Sequence, residues 1–318
     1  MLEPSLEVEQ AARKIQPAPL RLEPVAGGLF NEVVRATSAE GTSYLKRFAD
    51  QATSGTFPPL PTSAAERCRV AAAWHALANW ASEAAPSVAV PELLWVDSNT
   101  NLIAMREVAG TPLHAQLVSG DSGRSDVLQL LIAWLAALHG GNLQPRDDLI
   151  AASAPFKRFK IDLQYRKVLA DVPSDLHPAA ERFIDAYLEI GSDPVHGDLN
   201  SRNVLVSAGS LAVIDFEQGH FGEGTYDLAY LLCEFTILWL RAGMEPEGVL
   251  EPIWRQYAAA RGWNYGGPEF TRWRIHLGFQ TLYRLVGPSR QVWTGHLDAQ
   301  AQAAVRQWSV DELHRWLG

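Results

Sequence analysis

Val195-His196-Gly197-Asp198-Leu199-Asn200-Ser201-Arg202-Asn203-Val204-Leu205-Val206 is followed, after a short turn, by Leu211-Ala212-Val213-Ile214-Asp215-Phe216-Glu217. This stretch decides the reading of the chain. A His-Gly-Asp corner can hold the Asp198 carboxylate exposed at a loop edge. Asn203 lies five positions further on. Val204 to Val206 and Leu211 to Ile214 are short apolar runs around Ser207-Ala208-Gly209-Ser210, which predicts a hairpin. Such a hairpin folds Asp215 back beside Asn203, so two carboxylates and an amide converge at one end of a small ribbon. That set suits phosphoryl transfer, which asks for positioning and charge neutralisation more than covalent chemistry. Asp198 can accept the proton of an attacking hydroxyl, while Asn203 and Asp215 are hard oxygen donors of the kind Mg2+ takes.

The same residues resemble the catalytic and metal-binding loops of the aminoglycoside phosphotransferase and choline kinase family, a small-molecule branch of the protein-kinase-like fold. The Asp198-to-Asn203 gap equals that of the kinase catalytic loop. Gly197 stands where protein kinases have Arg, and Glu217 where they have the Gly of Asp-Phe-Gly. Both departures fit the small-molecule branch. The resemblance implies an α+β, bilobal protein-kinase-like fold. A small β-rich nucleotide-binding lobe would span residues 1–105, a hinge 106–110, and a large, mostly helical catalytic and substrate-binding lobe 111–318. It also implies ATP or GTP as phosphoryl donor and Mg2+ as cofactor.

The totals agree with a globular chain. It has 318 residues, 47% of them hydrophobic, enough for two lobes with real cores. A net charge of −9, from 27 basic and 36 acidic residues, disfavours nucleic acid or an anionic membrane as partner. The acidity is compatible with a cationic small-molecule acceptor. Cys68 and Cys233 lie in apolar helical patterns and read as small core residues, which points to a reducing compartment. No basic-then-apolar leader is visible, and the longest apolar stretch is too short to span a bilayer. The expectation is a soluble cytoplasmic protein, monomer or homodimer.

In the first third, strands are predicted at Arg21–Val25, Glu32–Thr37 and Ser43–Phe48. The Gly27-Gly28 tip sits where the family covers its nucleotide, so Gly28 and Asn31 are nucleotide-site candidates. Lys46 is the resemblance-based partner of the α/β-phosphates, with Arg47 facing the other side of the sheet. Residues 50–63 form a long Pro/Ser/Thr/Gly loop. A helix follows from Ala64 to Ala81, and its Glu66 has two readings. Ser63-Ala64-Ala65-Glu66 matches a capping box, and Glu66 is also the carboxylate that could steer Lys46. A hairpin, Leu93–Val96 with Leu102–Met105, leads to the segment whose backbone meets the adenine ring in the family, near Met105 to Val108.

Beyond it the pattern is mainly helical: Ser125–His139, Pro178–Ile190, Asp227–Leu240, Pro246–Arg261, Pro268–Leu285 and Leu297–Leu317. Asp227 reads as an N-cap, and in the family an Asp-Leu-Ala there braces the catalytic loop. His139 reads as a helix-terminal residue complementing the dipole. His196 is expected to support the loop, and Arg202 to form a structural ion pair. Tryptophans gather in the helical tail, and most helical tryptophans are core. Trp273 is a candidate wall for the acceptor, with Glu217, Glu223, Glu234 and Asp298 as holders of its amines. An aminoglycoside or related antibiotic is the first expectation for the acceptor. Choline, homoserine or a sugar are alternatives, as is a catalytically silent nucleotide-binding scaffold.

Overall fold

A computed structural model describes residues 3–16, 18–25, 31–50, 59–119, 125–141 and 147–318. The chain opens with helix α1 (Leu6–Ile15), then strands β1 (Arg21–Pro24), β2 (Asn31–Ser38) and β3 (Gly41–Phe48), and helix α2 (Ala64–Ala84). After β4 (Val88–Ala89) come β5 (Leu93–Asp97), β6 (Leu102–Arg106), β7 (Thr111–Pro112) and α3 (Leu113–Ser119). The rest is α4 (Ser125–Gly140), α5 (Asp147–Ile161), α6 (His177–Glu189), β8 (Asp193–Val195), β9 (Val204–Ser207), β10 (Ser210–Val213) and β11 (His220–Gly222). It ends with α7 (Thr225–Arg241), α8 (Glu247–Arg261), α9 (Pro268–Val286), α10 (Arg290–Thr294) and α11 (Ala299–Leu317). This is the α+β architecture expected: a sheet-rich N-terminal region and a helical C-terminal one.

The N-terminal sheet runs β1-β2-β3-β6-β5, with every neighbouring pair antiparallel. Alternation on β3 decides which side chains face inward. Lys46 is buried, while Arg47 turns to the other face and meets Glu32 at 3.7 Å. A second sheet, β4-β10-β9-β7, is built on the predicted hairpin, with Val213 opposite Val204. It takes in β4 from before the expected hinge and β7 from just after it. Helix α2 joins the two regions. Its first half packs Cys68 and Ala71 against Phe48 and Ile103. Its second half sends Trp74, Ala78 and Ala81 into the main helical core, and the Trp74 indole donates to the Val195 carbonyl at 2.7 Å. Both cysteines are buried and free, with burial pushing their thiols up to about 11 for Cys68 and about 12 for Cys233. No helix among the described residues is long and apolar enough to cross a membrane.

Three buried histidines make the fold acid-sensitive. Burial depresses His75 to about 4, and His220 and His276 to about 3 each. Unfolded, each titrates near 6.5. Below that pH the unfolded chain binds more protons than the folded one, so stability is full above about 6.5 and falls as pH drops toward about 3–4. At pH 5 each ring subtracts about 2 kcal/mol, and three together rival the whole stability of a typical domain. The urea midpoint is expected to fall steeply between pH 7 and pH 5; a flat profile would count against neutral burial of these rings.

Candidate active site

The loop carrying Asp198 is held from below. Strand β8 enters it, and β11 returns alongside with His220 opposite Val195. Gly197 adopts φ +77°, and a Cβ there would sit 2.1 Å from the Gln218 carbonyl oxygen. Asp227 accepts from the amides of His196 and Gly197, the latter at 3.0 Å. It is fully buried in the first turn of α7, whose N-cap is Gly224, so bracing replaces the capping role read from sequence. Burial would raise its pKa, but His139 and His196 together, through hydrogen bonds and charge, outweigh that and keep it below the ordinary range. His139 lies 3.1 Å from Asp227 through Nε2 and 2.7 Å from the Tyr257 hydroxyl through Nδ1. Its role is therefore to orient Asp227 rather than to complement a dipole.

His196 ties the loop to the metal-side strand. Its Nε2 donates to the Ile214 carbonyl at 3.0 Å, and its Nδ1 accepts from the Asp198 amide at 3.2 Å. One neutral tautomer satisfies both bonds. The Ile214 amide in turn donates to the Asn203 carbonyl at 3.0 Å. Asp198 and Asp215, one on each side of this ring, are thus positioned by the same short-range contacts.

Among the described residues, four donors orient the Asp198 carboxylate. Lys160 Nζ and the Tyr230 hydroxyl reach Oδ1, each at 2.8 Å. Asn203 Nδ2 and Gln218 Nε2 reach Oδ2 at 3.2 and 3.3 Å. Lys160 escaped the sequence reading. It sits in the last turn of α5, immediately before a π-helical segment, Asp162–Arg166. Such local widening recurs at functional sites. No pattern local to residue 160 points to a partner 38 positions away.

On the sheet side, Lys46 Nζ meets Asp215 Oδ1 at 2.7 Å and Glu217 Oε2 at 3.3 Å. Burial works against the ammonium, but the two carboxylates outweigh it and raise its pKa. Burial likewise opposes ionised Asp215, and Lys46 prevails, holding it below the usual range. Glu66 does not reach Lys46. Its carboxylate accepts from the Ser63 amide at 2.9 Å and the Ser63 hydroxyl at 2.8 Å, closing the capping box. The next residue, Arg67, faces the site instead. It donates to Asn31 Oδ1 at 2.9 Å and lies 3.6 Å from Glu217.

The other candidates divide. Asn31 has its amide engaged at both ends, by Arg67 and by Glu217, the latter at 2.6 Å. Glu217 is 5% exposed and belongs to this network rather than to an acceptor. Glu223 pairs with Arg272 at 2.6 Å, and Glu234 with Arg284 at 3.1 Å and with Ser201. Asp298 caps α11 through the Ala301 amide. Trp273 is fully buried, stacked 5.0 Å from Trp254. Glu223, Glu234 and Trp273 meet partners on other elements that sequence alone did not supply, and Asp298 caps its own helix. Gly28 and residues 51–58 of the long loop lie outside the described residues. At the expected hinge the amides of Arg106 and Glu107 are engaged by the carbonyls of Glu92 and Thr42.

A cleft of about 450 Å³ gathers Asn31, Lys46, Asp198, Asn203, Asp215 and Glu217 on one surface. Neither Met105 nor Val108 is among its described lining residues. The same lining includes Phe156, Phe159, Leu163, Tyr283 and Trp293, with Lys160, Arg202 and Arg284 as further cations. Trp293, not Trp273, is the tryptophan at the cleft. No carboxylate lies within ion-pair distance of Arg202 among the described residues, so the expected ion pair is not seen there.

Comparison with known proteins agrees with this architecture. A family model described as phosphotransferase enzyme family matches residues 21–271. A stretch of 97 residues is 33% identical to an N-acetylmuramate/N-acetylglucosamine kinase of Neisseria meningitidis serogroup B, covering 29% of this chain and 28% of that protein. Among solved structures, a choline/ethanolamine kinase family protein from Mesorhizobium loti superposes with a TM-score of 0.53 at 22% identity, covering 98% of this chain and 95% of that one. The GDP complex of aminoglycoside 2'-phosphotransferase-IIIa gives a TM-score of 0.54 at 14% identity, covering 96% and 98%. At these identities the structural likeness establishes the fold.

Proposed function

The chain belongs to the phosphotransferase enzyme family, and from that premise we propose that it moves the γ-phosphoryl group of Mg2+-bound ATP or GTP to a hydroxyl of a small molecule. The observation that carries this is the single cleft shared by Lys46, Asp198, Asn203 and Asp215. In this reading the lobes 1–105 and 111–318 meet at the hinge 106–110, and the nucleotide lies between them.

Asp198 receives the acceptor hydroxyl and takes its proton as the acceptor-oxygen–phosphorus bond forms and the bond from the γ-phosphorus to the β,γ-bridging oxygen breaks, releasing the nucleoside diphosphate. Lys46, now on Asp215, turns its charge to the phosphates. Lys160 and Tyr230 fix the angle of Asp198. The residues fit a magnesium ion. Asn203 donates through Nδ2 to the Asp198 backbone carbonyl and carboxylate, which leaves its carbonyl oxygen as a donor to a cation. Asp215 is a third exposed and is kept ionised. No group of three or more His, Cys, Asp or Glu that could hold a metal exists among the described residues, which suits an ion completed by phosphate oxygens and water. When bound, the ion would neutralise charge on the transferring group.

The cleft bears on the acceptor. An aminoglycoside or related antibiotic was the expectation from acidity, yet the carboxylates in the lining are already paired with cations. An aromatic wall with Trp293 and Tyr283 favours a sugar-like acceptor, in line with the short match to a sugar kinase. The silent-scaffold reading is disfavoured by the retention of Asp198, Asn203 and Asp215 together. Asp215→Ala is expected to abolish the magnesium-dependent part of nucleotide binding. Titration of magnesium against nucleotide, read by calorimetry, tests this; identical curves for variant and parent would remove Asp215 from the metal. Coupled ADP release over sugars, amino alcohols and aminoglycosides tests transfer itself.

A further inference from the structure

We infer that the acceptor is an anion: a small, sugar-like hydroxy compound with a carboxylate near the reacting hydroxyl, held by Arg202. This rests on the phosphotransferase reading above. Every carboxylate on the cleft surface is engaged: Asp198 by Lys160, Asp215 by Lys46, and Glu217 by Lys46, Asn31 and Arg67. Two of the other lining cations are engaged in return. Lys160 holds Asp198. Arg284 pairs with Glu234 at 3.1 Å and lies between two rings, its guanidinium 4.5 Å from Tyr230 and 4.4 Å from Trp293. Arg202 differs from both. It is exposed, lines the cleft four positions after Asp198, and has no acidic partner among the described residues.

A polycationic acceptor would bring ammonium groups into a surface with no spare carboxylate, and with an uncompensated guanidinium, among the described residues. Like charge at that range suppresses the wrong partner. A carboxylate meets the opposite situation, because a guanidinium presents a planar fork that matches it. The aromatic side chains that line the same cleft suit the faces of a pyranose, whose C–H groups pack on aromatic surfaces. Lys46, Lys160 and Arg284 each have an acidic partner, so Arg202 is the lining cation left for the acceptor among the described residues.

The test uses matched acceptors that differ only in charge: sugar acids and sugar-linked hydroxy acids, their neutral amides, and the corresponding amines. Full-length protein is assayed by ADP release, and by acceptor-dependent rise in Tm with a non-hydrolysable ATP analogue. The carboxylates should exceed the amides in kcat/KM by about tenfold or more, the worth of one charged hydrogen bond. Arg202→Gln should erase that preference through KM, with Arg202→Lys restoring part of it. Preference for the amines, equal use of acid and amide, or no binding by any carboxylate would overturn the proposal. An equal loss for acid and amide in Arg202→Gln, with a raised nucleotide KM, would reassign the residue to the phosphates and also overturn it. If carboxylates raise Tm through Arg202 but no acceptor releases ADP, the anion site stands and the transferase reading fails.

Discussion

Asp198→Asn is expected to lower kcat by about 10²–10⁴, the range attributable to a positioned proton acceptor, while leaving nucleotide affinity near that of the parent. The amide replaces the carboxylate with little change of shape, so the loop is not emptied. Asn203, Gln218, Tyr230 and Lys160 all approach this group. The Lys160 ammonium loses its ionic partner, so some loss of stability accompanies the loss of rate. The two effects separate experimentally. Single-turnover phosphoryl transfer reports the chemical step, and nucleotide titration at equilibrium reports the folded site. Turnover within a few-fold of the parent, with the same acceptor, would remove Asp198 from the reaction. If affinity for nucleotide collapsed together with rate, the residue would be structural. A parallel Lys160→Met variant should reduce kcat less, because Tyr230 still holds the same oxygen.

How far the site could be read from sequence depends on how local its contacts are. Asp198, Asn203 and Asp215 were legible because a four-residue strand, a tight turn and a second strand return the chain upon itself within a few residues. Lys46 was suggested by the family resemblance, and strand alternation left Arg47 as the one other choice of face. Glu66 illustrates the limit. One helical step rotates a side chain by about 100°, so the sheet-facing position falls on Arg67 while the capping box claims Glu66. The Ser63 signal was present and pointed the right way. Glu223 and Glu234 were misread because their partners, Arg272 and Arg284, lie 49 and 50 positions later. Only tertiary packing brings them together. Asp298, by contrast, carried a readable local sign, an Asp directly before a helical run. Trp273 and Trp293 have equivalent-looking neighbourhoods in sequence, and only the course of α9 and α10 puts one in the core and the other at the cleft.

Gly197→Ala is expected to damage the protein more than any other single methyl group placed near the site. At φ +77° a non-glycine residue is strained by about 1–3 kcal/mol. Here that is the smaller difficulty. The added Cβ would lie 2.1 Å from the Gln218 carbonyl oxygen and 3.0 Å from His220 Nδ1. The backbone of Gln218 cannot swing aside, because its side chain holds Asp198 and its neighbour Gly219 bonds back to the Phe216 carbonyl. Overpacking of this kind costs about 1–3 kcal/mol further where it can be relieved. Relief would have to come from the His196–Gly197 amides leaving Asp227, whose buried charge would then lose two donors. The substitution therefore acts on three segments at once: the loop of Asp198, the stretch after β10 that carries Asp215 and Gln218, and the first turn of α7. The expected result is a large drop in urea midpoint with phosphoryl transfer lost even in the fraction that remains folded. A variant with parental stability and rate would show that this corner has another conformation available, and that the brace from Asp227 does not set the position of Asp198.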